Sequence, residues 1–290
     1  MATMKVTKST MHRRVGDMTF YVRNGNMVVR ARHNSSRTPK PTLSRMETRM
    51  RWKNCINLWR AFPPGQQPVF EGRRPGVSDY NLFLSHAMQT EPVYLTQQLA
   101  DNGAAVLTSV VVSCGTLPEI GVTNDGTAPA TDIALGSLTI GEGTTLGDLA
   151  TAVVRNNAAF GFGDELLCYV GWQREDAARR VPVVAMECVR VLLDGSDEGL
   201  LWQGAASRQG FVSRGGVLAA AGMEAGGVAW VHIRTVGIRT VGIRTRRSTQ
   251  RMVVYNPLVS AYCSAEAFEA ACRSYGGAQK PPFITPNQNQ

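Results

Sequence analysis

Long hydrophobic runs are missing from this 290-residue sequence, and no stretch reaches the ~20 apolar residues that a membrane-spanning helix needs. The basic segment at residues 1–14 is followed by no apolar run, so we expect no secretory signal peptide. The sequence therefore predicts a protein that is made in the cytoplasm and stays there, or in a particle such as a virion assembled there.

Closely spaced cysteine pairs are missing too, because none of the cysteines belongs to a Cys-x-x-Cys motif or to a spacing typical of zinc sites. A free cysteine packs like a small apolar side chain, so reduced and mostly buried thiols are the simplest interpretation. The six are Cys55, Cys114, Cys168, Cys188, Cys263 and Cys272.

Motifs that carry catalysis are absent as well. The glycine-rich segment 141–145 lacks the Gly-Lys-Ser/Thr ending of a phosphate loop. The acidic segment 194–199 resembles half of a calcium loop, but Ala205 stands where the bidentate Glu is needed. The histidines have no acidic or cysteine partner at ligand spacing. We therefore expect no enzyme, no cofactor, no metal and no small-molecule substrate.

Positive charge is concentrated at one end of the chain. Residues 1–74 contain 16 Lys and Arg against 3 Asp and Glu, a net charge of +13, whereas residues 75–290 have a net charge of −4. This asymmetry predicts that the basic end binds something acidic.

A β-hairpin is predicted over residues 18–32, because Asn24-Gly25 is a preferred two-residue turn between β-prone runs. The implied register pairs Val22 with Met27 and Phe20 with Val29 on one apolar face. A lone hairpin is marginally stable in water, so something should cover this face.

Helices are predicted on both sides of the strand-rich region. After the Pro-rich linker 33–41, a basic helix should begin with a capping box at Ser44 and Glu47, carry an apolar stripe that includes Trp52 and Trp59, and stop before Pro63. Two further helices are predicted to begin at Ser78 and at Ser264, the second of which should end near Tyr275.

The central region alternates strands and turns, and residues 182–193, apolar on both faces, should form a central strand. The predicted fold class is mainly β: an Ig-like antiparallel β-sandwich with an N-terminal β-hairpin and a basic helix, α+β overall. The predicted divisions are 1–41 (hairpin arm and linker), 42–100 (helical segment), 101–260 (sandwich) and 261–290 (helix and tail). Strands are expected at 105–113, 133–140, 152–155, 165–172, 182–193, 200–203, 227–235 and 251–255.

A five-residue repeat, Ile-Arg-Thr-Val-Gly, begins at Ile233, recurs at Ile238 and starts again at Ile243. Its period does not match the two-residue period of a strand, so one interpretation is a protruding loop rich in arginine. A recent duplication that a surface loop tolerates is the favoured interpretation, because long surface insertions cost little stability.

The order of several motifs resembles a family of uncharacterised Bacteroidota proteins known only as a domain of unknown function. The matching stretches are Val15–Tyr21, Val28-Val29-Arg30, Pro41–Arg49, Asp79-Tyr80-Asn81, Val112–Pro118 and Gly163-Asp164. Arg45 and Thr48 replace the family's usual glutamines, and neither the repeat nor the last helix has a counterpart in that pattern. The resemblance implies a basic hairpin and helix before an Ig-like half, and no activity.

Three interpretations of the basic end remain open: contact with neighbouring subunits of an assembly, a solvated surface, and nucleic-acid binding. No RNA- or DNA-binding signature supports the last, and the acidic remainder favours self-association, so we expect a structural protein that binds itself or other subunits. A carbohydrate- or peptide-binding sandwich would require an exposed aromatic cluster. The candidate contact residues are Arg23, Arg30, Arg32, Arg37, Arg45, Arg49, Arg51, Lys53, Arg239, Arg244 and Arg246.

Overall fold

A computed structural model describes most of the chain. The described residues are 4–5, 13–15, 18–23, 26–31, 42–74, 76–124, 128–201, 211–221, 226–239 and 242–276. Within these, only the backbone is described at 4–5, 13–15, 22–23, 26, 238–239 and 242–243. The linker 33–41, the Asn24-Gly25 turn and the C-terminal tail therefore lie outside the described residues.

Helices and strands alternate along this part of the chain. The helices are α1 (Leu43–Ala61), α2 (Asp79–Ala87), α3 (Gln97–Asp101), α4 (Leu146–Asn156), α5 (Leu258–Tyr262) and α6 (Ala265–Ser274). The first strands are β1 (Met4–Lys5), β2 (Arg13–Val15), β3 (Met18–Arg23), β4 (Asn26–Ala31), β5 (Val69–Phe70), β6 (Val111–Cys114), β7 (Val122–Asn124) and β8 (Pro129–Ala134). The remaining strands are β9 (Glu165–Asp176), β10 (Val181–Leu192), β11 (Val212–Arg214), β12 (Val217–Ala219), β13 (Gly226–Arg239), β14 (Gly242–Arg247), β15 (Gln250–Arg251) and β16 (Val253–Tyr255).

The predicted hairpin is the centre of an N-terminal sheet of four antiparallel strands, in the order β1-β4-β3-β2. Phe20 pairs with Val29 and Val22 with Met27, which confirms the register expected from the turn. The apolar face of the hairpin is not buried: Met18 is 53% and Val29 is 43% exposed.

Two antiparallel sheets form the body of the protein. The main sheet has the order β10-β9-β13-β14, with β16 also paired to β13, and the second sheet has the order β11-β12-β8-β7. Their facing sides share a core with α4 in which Trp230, Cys168, Ile133, Leu218 and Leu149 are fully buried. A mainly-β, α+β fold is thereby confirmed.

Helices cover the other face of the main sheet. Leu58 of α1, Phe62 just after it and Phe83 of α2 pack against Tyr169 of β9 and Val231 of β13. The helical segment thus shares one core with the strands. No helix among the described residues combines the length and the apolar character that crossing a bilayer would require.

The predicted helices lie close to the observed helices α1, α2 and α6. The predicted N-cap of α1 is wrong. Ser78 caps α2 and Ser264 caps α6, as expected from their hydroxyl groups. The cap of α1, however, is Thr42, whose hydroxyl accepts a hydrogen bond from the Arg45 N–H at 3.4 Å. Ser44 lies inside the first turn, so the predicted capping box with Glu47 is wrong.

Several strand predictions are also wrong or too long. Of residues 105–113 only 111–113 belong to a strand, and of residues 133–140 only 133–134 do. Residues 152–155 belong to α4, which begins at a capping box between Thr145 and Asp148 and buries Leu149 and Val153. Residues 181–192 form β10, which ends the described order of the main sheet instead of occupying its centre. Its two apolar faces arise because layers pack on both sides of it, with Cys188 facing the helices and Val191 facing the second sheet.

The five-residue repeat forms a hairpin and not the expected loop. Ile233 pairs with Arg247 and Ile238 with Ile243, and the register shifts by one residue between Thr235 and Gly237. This bulge restores the alternation of side chains between the two faces, which a five-residue period would otherwise break. Before the bulge Arg234 pairs with Arg246, and after it Gly237 pairs with Arg244. Arg234, Arg244 and Arg246 therefore share one face of the sheet.

Candidate interaction surfaces

The predicted contact arginines fall into three groups. Arg32 and Arg37 lie outside the described residues, while Arg23 and Arg239 are described only through their backbone pairing in β3 and β13. The exposed arginines that form no ion pair inside the described chain are Arg30, Arg45, Arg49, Arg244 and Arg246.

Arg51 and Lys53 already have partners within the chain. Arg51 donates to the carbonyl oxygens of Met88 and Thr90 and lies 3.8 Å from the Glu47 carboxylate, so it ties α1 to the end of α2. Lys53 forms a half-exposed ion pair of 3.4 Å with Asp101, the kind of surface pair that contributes at most about 1 kcal/mol. Arg51 is therefore a structural contact.

Trp52 does not pack in the core, contrary to the expectation from the apolar stripe. It is 40% exposed and lines a shallow groove of about 250 Å³ with Arg49, Lys53 and Tyr275. The buried side of α1 is defined by Met46, Met50, Asn54 and Leu58, and Trp52 lies about 200° around the helix from Met50. Trp59 does pack, against Tyr80 and Phe83, at centroid distances of 5.4 and 5.3 Å.

A groove of about 760 Å³ has more acidic than basic side chains in its lining; we call it the acidic groove. It lies between α4 and the turn at residues 194–198 and contains Asp148, Asp197 and Glu198, with Arg155 as its cation. Glu142 and Asp194 are exposed beside it. No ion pair engages these five carboxylates within the described residues.

Two carboxylates in and beside this groove accept local hydrogen bonds. Asp148 accepts from the Thr145 N–H at 3.0 Å, and its bonds to the Thr145 backbone and hydroxyl keep the pKa of Asp148 below the usual range. Asp194 accepts from the hydroxyl and N–H of Ser196, which lower its pKa in the same way. No cluster of His, Cys, Asp or Glu suited to a metal is present in the described residues, so the turn interpretation of 194–199 fits.

Exposed apolar side chains border the acidic groove. Phe162 is 59% and Leu192 is 48% exposed, and both line a smaller depression of about 400 Å³ that shares Gly195 with the groove. The Phe162 ring lies so close to Gly195 that a Cβ there would be 3.1 Å from it. Exposed apolar side chains therefore lie next to the negatively charged groups of the acidic groove.

A buried cluster of Asp164, His232 and Arg234 is the strongest electrostatic feature of the interior. His232 Nε2 lies 2.8 Å from Asp164 Oδ2, and Arg234 donates to both carboxylate oxygens at 2.8 and 2.6 Å. Phe160 stacks on the His232 ring at 4.3 Å. His232 and Asp164 are almost completely buried, and the cluster anchors β13 to the turn before β9.

Burial sets the charge states in this cluster. Burial alone would raise the pKa of Asp164, but hydrogen bonds from Arg234, His232 and the Gly161 N–H outweigh it and hold that pKa below the usual value. Burial also lowers the pKa of His232, more than the neighbouring carboxylate raises it. The imidazole is thus neutral at pH 7 and donates from Nε2 to Asp164.

The thiols are free, as the cysteine spacing indicated. No disulfide joins any two of the six cysteines, all of which lie in described segments. Burial raises the pKa of Cys55 to about 11 and of Cys188 to about 12, so both remain protonated thiols at neutral pH.

Sequence patterns alone did not indicate the acidic groove, the exposed Phe162 and Leu192, or Arg247. The five carboxylates come from two segments about 50 residues apart, and only their run at 194–198 was visible as a signal. Comparison with known proteins adds no assignment: no protein-family model, curated protein or solved structure matches this chain. The resemblance to the Bacteroidota family therefore stays a prediction.

Proposed function

We propose that this protein is a non-enzymatic structural component that associates with copies of itself, the N-terminal sheet of one copy docking on the acidic groove of the next. The proposal rests on two surfaces of opposite charge, the N-terminal sheet and the acidic groove, each of which has exposed apolar side chains on it or beside it. A particle of phage or mobile-element type, assembled in the cytoplasm, is the setting that we propose for it.

Apolar exposure on both surfaces supports this docking. Met18 and Val29 lie half-exposed on the N-terminal sheet, and Phe162 and Leu192 do so beside the acidic groove. A thin sheet with one exposed apolar face is marginal alone, so burial against a partner would stabilise it. Each fully buried side chain of this size contributes about 1.5–3 kcal/mol.

Charge complementarity selects a second copy as the partner. The N-terminal sheet belongs to the segment with a net charge of +13, and Arg30, on the face opposite Val29, is exposed without an ion pair in the described chain. Three carboxylates line the groove and two more lie outside its lining, whereas Arg155 is the one cation in that lining; none of the five carboxylates forms an ion pair within the described chain. Opposite charge steers such an encounter and fixes its orientation.

Docking of this kind is heterologous, because two different patches of the same chain meet. Such contacts generate rings when the rotation closes and filaments when it does not. We expect a series of oligomers whose size rises with protein concentration and falls with added salt, since exposed charges are screened over about 10 Å at 0.1 M salt.

Charge reversal tests this arrangement. The arm variant Arg23→Glu with Arg30→Glu and the groove variant Glu142→Lys with Glu198→Lys should each associate at least about tenfold more weakly than the wild type. An equal mixture of the two variants should recover association, because the acidic arm of one fits the basic groove of the other. Mass photometry and sedimentation velocity measure both.

The matched control reverses Arg60 and Arg74, two exposed arginines of the same basic segment outside the N-terminal sheet. This variant should assemble like the wild type. A wild-type chain that stays monomeric at every concentration contradicts the proposal, as does a mixture that associates no better than its components.

Nucleic-acid binding is the second candidate, and the exposure of Trp52 favours it. An exposed indole flanked by Arg49 and Lys53 offers a stacking surface with nearby charge, and stacking on one base contributes about 1–3 kcal/mol. Fluorescence polarisation with random single-stranded oligonucleotides at several salt concentrations tests it. Trp52→Ala should weaken binding about tenfold, while Phe162→Ala, which removes an exposed aromatic elsewhere, should not; equal effects of the two substitutions contradict this candidate.

A further inference from the structure

A cavity of about 570 Å³ lies along the outer edge of β14 and contains four arginines. We call it the arginine pocket; it is lined by Glu71, Arg73, Thr116, Arg244, Arg246 and Arg247, among others. Arg244 and Arg246 are exposed on one face of the strand, while Arg247 pairs with the buried Ile233 on the other. In the described residues β14 is the last strand in the order of the main sheet, so side chains from both of its faces reach the cavity at this edge.

Arg247 is the unusual member of the pocket. Its Nε is completely buried and has no hydrogen-bond partner, and its guanidinium makes no ion pair within the described residues. Burial lowers the pKa of this guanidinium below its usual value, and Arg190 nearby acts in the same direction. A buried donor left unpaired destabilises the folded protein, and more so when it is charged.

The carboxylates nearest to Arg247 are already held by other donors. Glu71 accepts from the backbone N–H of Arg247 and, at 3.1 Å, from the Thr116 hydroxyl. Asp79 pairs with Arg73 at 3.0 Å and accepts from the Phe70 N–H. Glu165 pairs with Arg190 at 3.4 Å.

Three guanidinium groups without a counter-ion in the described chain therefore surround one cavity. Guanidinium groups bind oxyanions through paired, charge-assisted hydrogen bonds, and phosphate fits their planar fork well. Neither the N-terminal sheet nor the acidic groove contributes to this cavity, so the site is independent of the docking proposed above.

We propose that the arginine pocket is a phosphate-binding site, in which Arg247 binds a phosphoryl group from within and Arg244 and Arg246 close on it from the surface. The same oxyanion chemistry occurs in free phosphate and in the backbone of a polynucleotide, and the test separates these sources.

Calorimetric titration of the full chain with inorganic phosphate and with a thymidine trinucleotide tests the site. Arg244→Ala with Arg246→Ala, at two exposed positions, should weaken binding at least about tenfold, and Arg247→Lys, which keeps charge but loses the Nε donor, about tenfold. Arg45→Ala with Arg60→Ala removes the same number of exposed charges from α1 and should leave the affinity unchanged.

Binding of inorganic phosphate that the trinucleotide cannot displace supports a site for free phosphate. Binding of the trinucleotide with the same dependence on Arg244 and Arg246 supports a polynucleotide backbone in the pocket. The proposal is overturned when neither probe binds at millimolar concentration, or when the α1 control weakens binding as much as the pocket variants do.

Discussion

Asn54 of α1 and Val106 form a reciprocal pair: the side-chain amide donates to the Val106 carbonyl at 3.0 Å and accepts from the Val106 N–H at 2.8 Å. Both groups are buried. A single side chain thus supplies the hydrogen bonds that a neighbouring strand would otherwise make to the extended segment 104–107, which runs between α1 and the main sheet.

Replacing this amide should destabilise the protein strongly. Asn54→Ala leaves the N–H and the carbonyl of Val106 buried without partners, and we expect a loss of about 2–5 kcal/mol in the free energy of unfolding. Asn57→Ala, which removes one half-buried bond to the Ala104 carbonyl, should cost only about 1 kcal/mol. Urea denaturation of both variants measures the difference, and equal losses would contradict the role given to Asn54.

Gly115 should tolerate no side chain. A Cβ at this position would overlap the carbonyl oxygen of Arg247 and lie 2.7 Å from the Glu71 carboxylate. We expect Gly115→Ala to destabilise the protein by about 3 kcal/mol, whereas Gly141→Ala, where the space around the Cβ is open, should change stability by less than about 1 kcal/mol. Thermal unfolding compares them; a Gly115→Ala protein as stable as the Gly141→Ala protein would show that the two backbones do not approach so closely.

We expect low pH to lower the free energy of unfolding, because His232 binds a proton more readily in the unfolded chain than in the folded protein. In the unfolded chain a histidine titrates near pH 6.5, and burial lowers the pKa of His232 in the folded protein. The unfolded state therefore binds a proton that the folded state does not, and the free energy of unfolding falls as pH drops below about 6.5. Chemical denaturation at several pH values between 7 and 5.5 measures this slope.

His232→Gln should lower stability at pH 7 and flatten this slope, because glutamine does not titrate. If the His232→Gln protein kept the full slope, the pH dependence would have to come from other groups.

Leu192 should matter for association and not for folding. Leu192 of β10 and Tyr255 of β16 are exposed to nearly the same extent, 48% and 49%, and only Leu192 borders the acidic groove. We expect Leu192→Ser to weaken oligomer formation about tenfold and Tyr255→Ser to leave it unchanged. Sedimentation velocity distinguishes them, and a Leu192→Ser protein that assembles normally would place the contact elsewhere.

Sequence patterns predicted the elements whose signal is local. The hairpin register follows from a two-residue turn, and the starts of α2 and α6 follow from the hydroxyls of Ser78 and Ser264. Periodicity failed where burial depends on what packs from outside. The apolar faces of β10 indicate layers above and below it and say nothing of its place within the sheet.

The interaction surfaces were harder to predict than the fold. Trp52 was placed in the core because helical spacing groups it with other apolar residues, but the side of α1 that contacts the core is decided by the sheet. Arg247 differs from its exposed neighbours only through tertiary packing, since Arg244 and Arg246 have the same local sequence character. The charge asymmetry of the sequence indicated the basic surface. The acidic groove could be recognised only from the fold, because its carboxylates come from two separate segments.

The bulge opposite β14 bears on how this hairpin accommodates the repeat. A hairpin that gains five residues gains an odd number, and without a bulge every side chain beyond the insertion would change faces. Because one extra residue is absorbed between Thr235 and Gly237, the register around Asp164 and Arg234 is unaffected by the lengthened tip. The bulge thus lets this hairpin carry the five-residue repeat while the pairing at its base stays in register.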